Sequence, residues 1–449
     1  AMLYYVFDAL ICARTVYSLF KMYFKWRFER QALYEQQLKG VGSDIVPGGD
    51  KKKIRVYMDG CFDMMHFGHA NALRQAKMLG DVLVVGVVPD DEIVRHKGPP
   101  VMNNYERTLA VESVKWVDEI IPNVPYDVSE GFLDKLINEY KIDFIVHGDD
   151  PCIGADGKDA YAAVKTAGRF KTIKRTEGVS STDIVGRMLL CTRNHHLDGH
   201  PVENGESSSM NGDASPSQDS DDSPANVPLP RLASSSLKGD TVLSLAAGSN
   251  VNQPFTRVST FLPTTRRLLQ FSGGARALKA GDKVVYMDGA FDMFHCGHIE
   301  TLRAAKEMGD FLLVGIHDDA TVNLHRGRNF PIMNLHERTL SVLSCRYVDE
   351  VIIGAPWTVT EDMIKTMNIS LVVHGTHYDE NETEKMEDAY AVPKRMGMFV
   401  KVESKSNLSV LDILDRIVNN RGQYLKRQAK KTAQEANYLE NHKTYVEEL

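Results

Sequence analysis

Two rhythms of apolar and polar positions run through residues 54–192. Ile54–Met58 is a short apolar run and Val82–Val88 is a longer, β-branched one. Unbroken runs of that kind suit strands covered on both faces. Between and after them the apolar spacing lengthens to that of helices, predicted at Ala70–Leu79, Glu106–Val114, Glu130–Tyr140 and Asp183–Leu190. Further strands are predicted at Glu119–Ile121 and Phe144–His147. Strand and helix alternate, which implies right-handed β-α-β units. The fold class is therefore α/β, a doubly wound parallel sheet with ligands at the C-terminal ends of its strands.

The same rhythm returns later in the chain. Tyr57–Val87 and Tyr286–Ile316 share 19 identities in 31 positions. The likeness continues through Pro100-Val101-Met102-Asn103 and Pro331-Ile332-Met333-Asn334, then Glu106-Arg107-Thr108 and Glu337-Arg338-Thr339. The repeat is far longer than a solenoid unit, so it reads as a duplicated domain. Between the copies, residues 194–254 are rich in Ser, Asp, Asn, Gly and Pro and read as a disordered linker. Residues 255–272 regain Phe and Leu and are expected to dock on a folded domain.

Residues 2–24 are apolar at 18 of 23 positions, interrupted by Asp8, Arg14 and Lys21. The length would span a bilayer, but each interruption costs about 2.5–3.5 kcal/mol at its centre. Asp8, Thr15, Ser18, Lys21 and Lys25 share roughly half of a helical wheel, which suits a helix lying in a membrane interface. Packing of that helix on the protein's own core stays open as the alternative. The 449 residues carry a net charge of −7, which offers no global case for nucleic-acid binding. Six scattered cysteines without a C-x-x-C pair favour a reducing compartment over a disulfide framework.

After the first strand comes Asp59-Gly60-Cys61-Phe62-Asp63-Met64-Met65-His66-Phe67-Gly68-His69, opening a helix. Two imidazoles and a glycine at a helix N-terminus make an anion site, because free N–H groups and the positive dipole end face the ligand. One such pair could merely cap a helix. Its return as His295-Cys296-Gly297-His298, after Ala290 and Phe291, argues for function. A structural zinc site is disfavoured, since no further ligands have suitable spacing. Arg175-Thr176-Glu177-Gly178-Val179-Ser180-Ser181-Thr182 supplies a cationic fork, hydroxyls and a glycine turn before a helix, suited to phosphate.

Together the H-x-G-H motif and this second string resemble the nucleotidyltransferase superfamily, and within it the cytidylyltransferases. The resemblance covers roughly 54–192 and 283–418 and implies two tandem Rossmann-like nucleotidyltransferase domains. Choline-phosphate enzymes of the family look like one such domain followed by a long lipid-binding helix. Two domains, a linker and no such helix resemble instead the tandem-domain branch that acts on phosphoethanolamine, and the apolar N-terminus is similar to the membrane-anchored form of plants and algae. The implied organisation is a membrane-associating helix at 1–30, a catalytic domain at 51–193, a linker at 194–254, a docking segment at 255–282, a second cytidylyltransferase-like domain at 283–420 and a charged helical tail at 421–449.

The resemblance implies transfer of CMP from CTP to phosphoethanolamine by one in-line displacement, with Mg2+ accompanying CTP and no covalent intermediate. His66, His69, Lys97 and Arg175 are the implied catalytic residues. Cys61, Phe62, Gly68, Thr176, Gly178, Val179, Ser180, Ser181 and Thr182 would surround the nucleotide and its phosphates. Tyr126 would face the acceptor's ammonium, and His147, Gly148, Asp149 and Asp150 would line the base and acceptor pocket. Without the family, Tyr126 would read as packing and Lys97 as a surface lysine. No protein metal ligand is assigned. A choline-phosphate enzyme and a nucleotide-binding scaffold without turnover remain alternatives. The expected location is the cytosolic face of an intracellular membrane, endoplasmic reticulum or mitochondrial outer membrane, and a homodimer is left open.

In the second copy the resemblance assigns CTP contacts to Ala290, Phe291, His295, Cys296, Gly297, His298, His374, Gly375, Thr376, His377, Ser406, Asn407, Leu408, Ser409 and Val410. Arg326 stands where Lys97 stands, the arginine of the second signature is gone, and Glu403 is expected to face phosphate, with Lys401 or Lys405 as partial substitutes. Trp357 keeps the aromatic position. The first copy is expected to turn over, and the second to bind without much turnover.

Overall fold

In the computed structural model the first apolar run forms β1 (Arg55–Gly60), and the helix that follows is α1 (Phe67–Lys77). Then come β2 (Val82–Val87), α2 (Asp90–Lys97), α3 (Asn104–Glu112), β3 (Glu119–Pro122), α4 (Glu130–Asn138), β4 (Phe144–Gly148), α5 (Ala162–Thr166), β5 (Phe170–Ile173) and α6 (Ser181–Cys191). After α7 (Leu262–Ser272) the plan repeats as β6 (Val284–Gly289), α8 (Cys296–Lys306), β7 (Phe311–Ile316), α9 (Asp319–Arg326), α10 (Leu335–Leu343) and β8 (Glu350–Ile353). It closes with α11 (Glu361–Thr366), β9 (Ile369–Gly375), α12 (Ala391–Arg395), β10 (Phe399–Val402) and α13 (Val410–Asn419).

The described residues are 52–149, 152, 159–176, 178–191, 262–274, 276–327, 329–376, 389–427, 429, 433 and 448. All the elements named above belong to the compact unit Ile54–Leu449. The N-terminal helix, the linker and most of the tail expected from the sequence lie outside the described residues. Among the described helices none is long and apolar enough to cross a membrane.

Each domain is one parallel five-stranded sheet, in the order β3-β2-β1-β4-β5 and β10-β9-β6-β7-β8. Chain direction across the sheet reverses between β1 and β4, and between β6 and β9, so a crevice opens at those strand ends. The interior of β2 is buried without alternation, as its sequence predicts.

The two domains meet in a reciprocal, self-complementary contact. Val114 and Cys345 form an isolated antiparallel bridge. Lys115 N–H donates to Ser344 O at 2.9 Å and Arg346 N–H to Ser113 O at 2.8 Å. Arg187 of α6 forks onto Glu337 of α10 at 2.7 and 2.9 Å, and Arg416 of α13 forks onto Glu106 of α3 at 2.7 and 2.9 Å. Met64, Phe67, Ile184 and Met188 share one buried cluster with Met293, Phe294, Ile299 and Ile413. On α7, Phe271 is fully buried and meets Trp116 edge to face, with ring centres 5.1 Å apart.

Candidate functional site

The turn after β1 is held in an uncommon conformation. Phe62 and Met64 have φ of 48° and 47°, a left-handed backbone that non-glycine residues rarely adopt. Phe291 and Met293 repeat it at 51° and 52°. Buried Asp63 holds the turn by accepting from the N–H groups of Val101 and Met102. Arg107, 1% exposed, donates to Cys61 O at 2.6 Å, Met102 O at 3.1 Å and Asp90 at 2.7 Å.

The turn delivers His66 to the N-cap of α1, so the helix starts three residues earlier than its apolar spacing predicts. His66 Nδ1 accepts from Gly68 N–H at 3.1 Å, and the His66 and His69 rings stack with centres 4.0 Å apart. Phe62 packs edge-on to His69. Gly68 is required here: a Cβ would lie 2.8 Å from Val179 Cγ1 and 2.9 Å from the His66 ring. That contact joins the two sequence signatures. Asn71 Nδ2 adds a bond to Thr176 Oγ1 at 2.9 Å, and Ser181 Oγ donates to Asp63 O at 2.9 Å. The start of α6 is thereby tied to the start of α1, and two positive helix ends meet there. Ser180 Oγ caps α6, accepting from Asp183 N–H at 3.1 Å and donating to its carboxylate. Arg175 leaves β5 with its N–H donating to Asp149 at 2.8 Å. Gly178 has φ of 80°, which suits its turn.

A second cluster forms at the ends of β1 and β4. Tyr161 donates to buried Asp59, which also accepts from Tyr57 at 3.2 Å, and the His147 ring lies 4.7 Å from Tyr161. Burial raises the Asp59 carboxyl above its ordinary range. From α2, Lys97 Nζ reaches within 3.8 Å of Cys61 Sγ and 5.2 Å of the Tyr126 ring centre. The Lys97 ammonium is raised above the usual lysine range, first by the Cys61 sulfur. Tyr126 stacks on His96 at 4.2 Å, and burial pushes its hydroxyl up to about 12. Asp59, Tyr161, Asp63 and Arg107 were not among the sequence candidates. Asp150 falls outside the described residues.

The second domain has an open cleft of about 1140 Å³, mouth included. Of the residues assigned to CTP in this domain, Ala290, Phe291, His295, Gly297, His298, His374, Gly375, Ser406, Leu408, Ser409 and Val410 line it. Three other candidates are not among the lining residues. Cys296 is buried beside Ser406, Asn407 is exposed, and exposed Thr376 accepts from Ser404 N–H at 3.0 Å. His377 is outside the described residues. His295 caps α8 as His66 caps α1, and the His295 and His298 rings are again 4.0 Å apart. Burial, then His295 and Arg326, hold the His298 imidazole well below its ordinary pKa, in the neutral form. Trp357 stacks on His325 at 3.6 Å, Tyr390 donates to buried Asp288, and Arg326 lines the wall.

One sequence expectation is corrected here. Thr376 receives Ser404 N–H as Asp149 receives Arg175 N–H, so Ser404 takes the place of Arg175. Glu403 is exposed and is not among the lining residues, whereas Ser404 is. The cleft wall thus carries a hydroxyl where the first domain has a guanidinium, with Lys405 exposed beside it in the place of Thr176.

A family model described as cytidylyltransferase-like matches residues 57–187 and 286–416. The ethanolamine-phosphate cytidylyltransferase of Arabidopsis thaliana is 53% identical over 398 residues, covering 88% of this chain and 87% of that protein. The Dictyostelium discoideum protein of the same name is 49% identical, covering 87% of this chain and 98% of its own length. The Mus musculus one is 43% identical, with 87% and 92% covered.

Proposed function

This chain belongs to the ethanolamine-phosphate cytidylyltransferases, and on that premise we infer that it transfers CMP from CTP to phosphoethanolamine. The products are CDP-ethanolamine, a precursor of phosphatidylethanolamine, and pyrophosphate. The observation that carries the assignment to the first domain is the bond from Asn71 of α1 to Thr176 beside Arg175, at positions where the second domain has Glu300, Lys405 and Ser404.

The chemistry is a displacement at the α-phosphorus. A phosphate oxygen of phosphoethanolamine forms the new P–O bond, and the bond to the β-phosphate oxygen breaks. The nucleophile is already anionic, so positioning and charge stabilisation replace general-base work. His66 and His69 would donate to the charge developing on the α-phosphate and the leaving pyrophosphate. Lys97, beside Cys61 and Tyr126, would hold both reactants, and Arg175 with Thr176 would bind the outer phosphates. The acceptor's ammonium would meet Tyr126, with buried Asp59 and Tyr161 deeper in the crevice, a cation–π contact of about 0.5–2 kcal/mol. CTP would enter as its magnesium complex, the triphosphate oxygens carrying the ion. Among the described residues no group of three His, Cys, Asp or Glu side chains could hold it.

The deciding assay compares pyrophosphate release from CTP with phosphoethanolamine and with phosphocholine. Phosphoethanolamine is expected to give the higher kcat/KM. No release with either acceptor, or a preference for phosphocholine, overturns the reading.

We further propose that residues 2–24 hold the enzyme on the cytosolic face of an intracellular membrane, with the basic residues Lys25, Arg27 and Arg30 against anionic headgroups. The full chain is expected to sediment with anionic vesicles, and a chain beginning at Lys51 to stay in the supernatant and remain active. Full-length protein left in the supernatant ends this proposal.

A further inference from the structure

We propose that the second cleft is a binding site for the reaction's own product class, a nucleoside diphosphate ester ending in an ammonium, and not for a nucleoside triphosphate. The proposal rests on the activity inferred above, which makes such an ester at the first site.

The cleft keeps one end of the first site and has lost the other. At the kept end, Asp288 presents a buried carboxylate braced by Tyr390, as Asp59 is braced by Tyr161. Trp357 offers a larger aromatic face than Tyr126, stacked on His325 as Tyr126 is stacked on His96. A carboxylate and an indole face suit a small ammonium. In the middle, His295 and His298 stand at the start of α8, and Arg326 reaches the cleft from α9. They can hold a short phosphate bridge.

The outer-phosphate end differs between the domains at Arg175, whose place Ser404 takes, and at Asn71, whose place Glu300 takes. There Arg175 adjoins Thr176, and Thr176 is bonded to Asn71 of α1. In the second domain Ser404 replaces Arg175, which removes the guanidinium. Glu300 stands on α8 where Asn71 stands on α1, three residues before Arg303, with which it pairs. Buried Glu300, neutralised by Arg303, stands where in the first domain Asn71 bonds both Thr176 and the Glu448 carboxylate. Losing the bidentate fork acts against a third phosphate. Neither change touches the ammonium end. A diphosphate ester with a terminal ammonium carries much less net negative charge than a triphosphate and fits what remains.

The test is equilibrium dialysis of the full chain, with magnesium and without phosphoethanolamine, against radiolabelled CDP-ethanolamine and, separately, radiolabelled CTP. Two equivalents of CDP-ethanolamine and one of CTP are expected per chain. Trp357→Ala should lower the CDP-ethanolamine count to one with an unchanged circular-dichroism spectrum. Ser404→Arg should raise the CTP count to two, which guards against a Trp357 variant that loses the cleft by unfolding. Two equivalents of CTP on the unmodified chain, or a single equivalent of CDP-ethanolamine, overturns the proposal. Turnover of the unmodified chain, followed by pyrophosphate release, separates the two readings: turnover with one product equivalent removes this site alone, whereas no turnover removes the activity and with it the identity of the ligand.

Discussion

Replacing His69 with alanine is expected to lower kcat by about 100- to 1000-fold, the usual cost of removing one preorganised donor from a developing charge. The imidazole is stacked on His66 at the start of α1, and its loss leaves the capping bond from Gly68 N–H to His66 in place. The fold should therefore persist, with far-ultraviolet dichroism and urea midpoint close to those of the unmodified chain. His298→Ala makes the same chemical change in the other domain and is expected to cost less than tenfold. Pyrophosphate release measured on both variants decides the matter. Equal and complete losses would mean that the second site also turns over or that the first cannot work without it.

The largest loss of stability is expected from Arg107→Ala. The guanidinium is buried and serves four acceptors at once: the carbonyls of Cys61 and Met102, the carboxylate of Asp90 and the side-chain oxygen of Asn104. Asp90 is partly exposed, so the cost falls on the carbonyls of Cys61 and Met102 left without this donor, at about 1–3 kcal/mol for each buried group unsatisfied. Arg107→Lys is expected to recover little, because a single ammonium cannot span the acceptors set by a planar fork. Arg95→Ala is the useful control. Arg95 also pairs with two carboxylates, Asp91 and Glu92, but it is 63% exposed, and exposed pairs are worth about 0–1 kcal/mol. Urea unfolding compares the three variants, and a loss for Arg107→Ala no larger than that for Arg95→Ala would remove the network argument.

The parts of the fold that were legible are those where burial writes a pattern. Val82–Val87 lies in the sheet interior, and its unbroken apolar run says so. The helix α2 reads DDEIVRHK with only Ile93 buried, so it leaves no apolar period, although it carries Lys97 to the site. The strand β5 alternates poorly, with two exposed residues at its centre, and was missed for the same reason. The histidine motif was legible because it occurs twice. Asp59 and Tyr161 recur too, as Asp288 and Tyr390, so the repeat already held a signal for them. Glu403 is misread as facing phosphate because the loop register is set by the bond from Ser404 N–H to the Thr376 hydroxyl, which has no trace in residue order. Glu106 and Glu337 look like ordinary capping residues in sequence, and only the packed structure shows each receiving an arginine from the opposite domain.

The reciprocal contact between the domains has a consequence for how the molecule divides its labour. In a dimer of identical chains each substitution appears twice, so neither half can specialise alone. Here the two halves are written separately. Glu106 with Arg416, and Glu337 with Arg187, keep the shared scaffold. Within it, Ser404 and Glu300 stand on one side where Arg175 and Asn71 stand on the other. Joining the halves in one chain also makes their association a first-order event, set by tether length and not by protein concentration. A specialised half therefore cannot be lost to dilution or exchanged for a second copy of its neighbour.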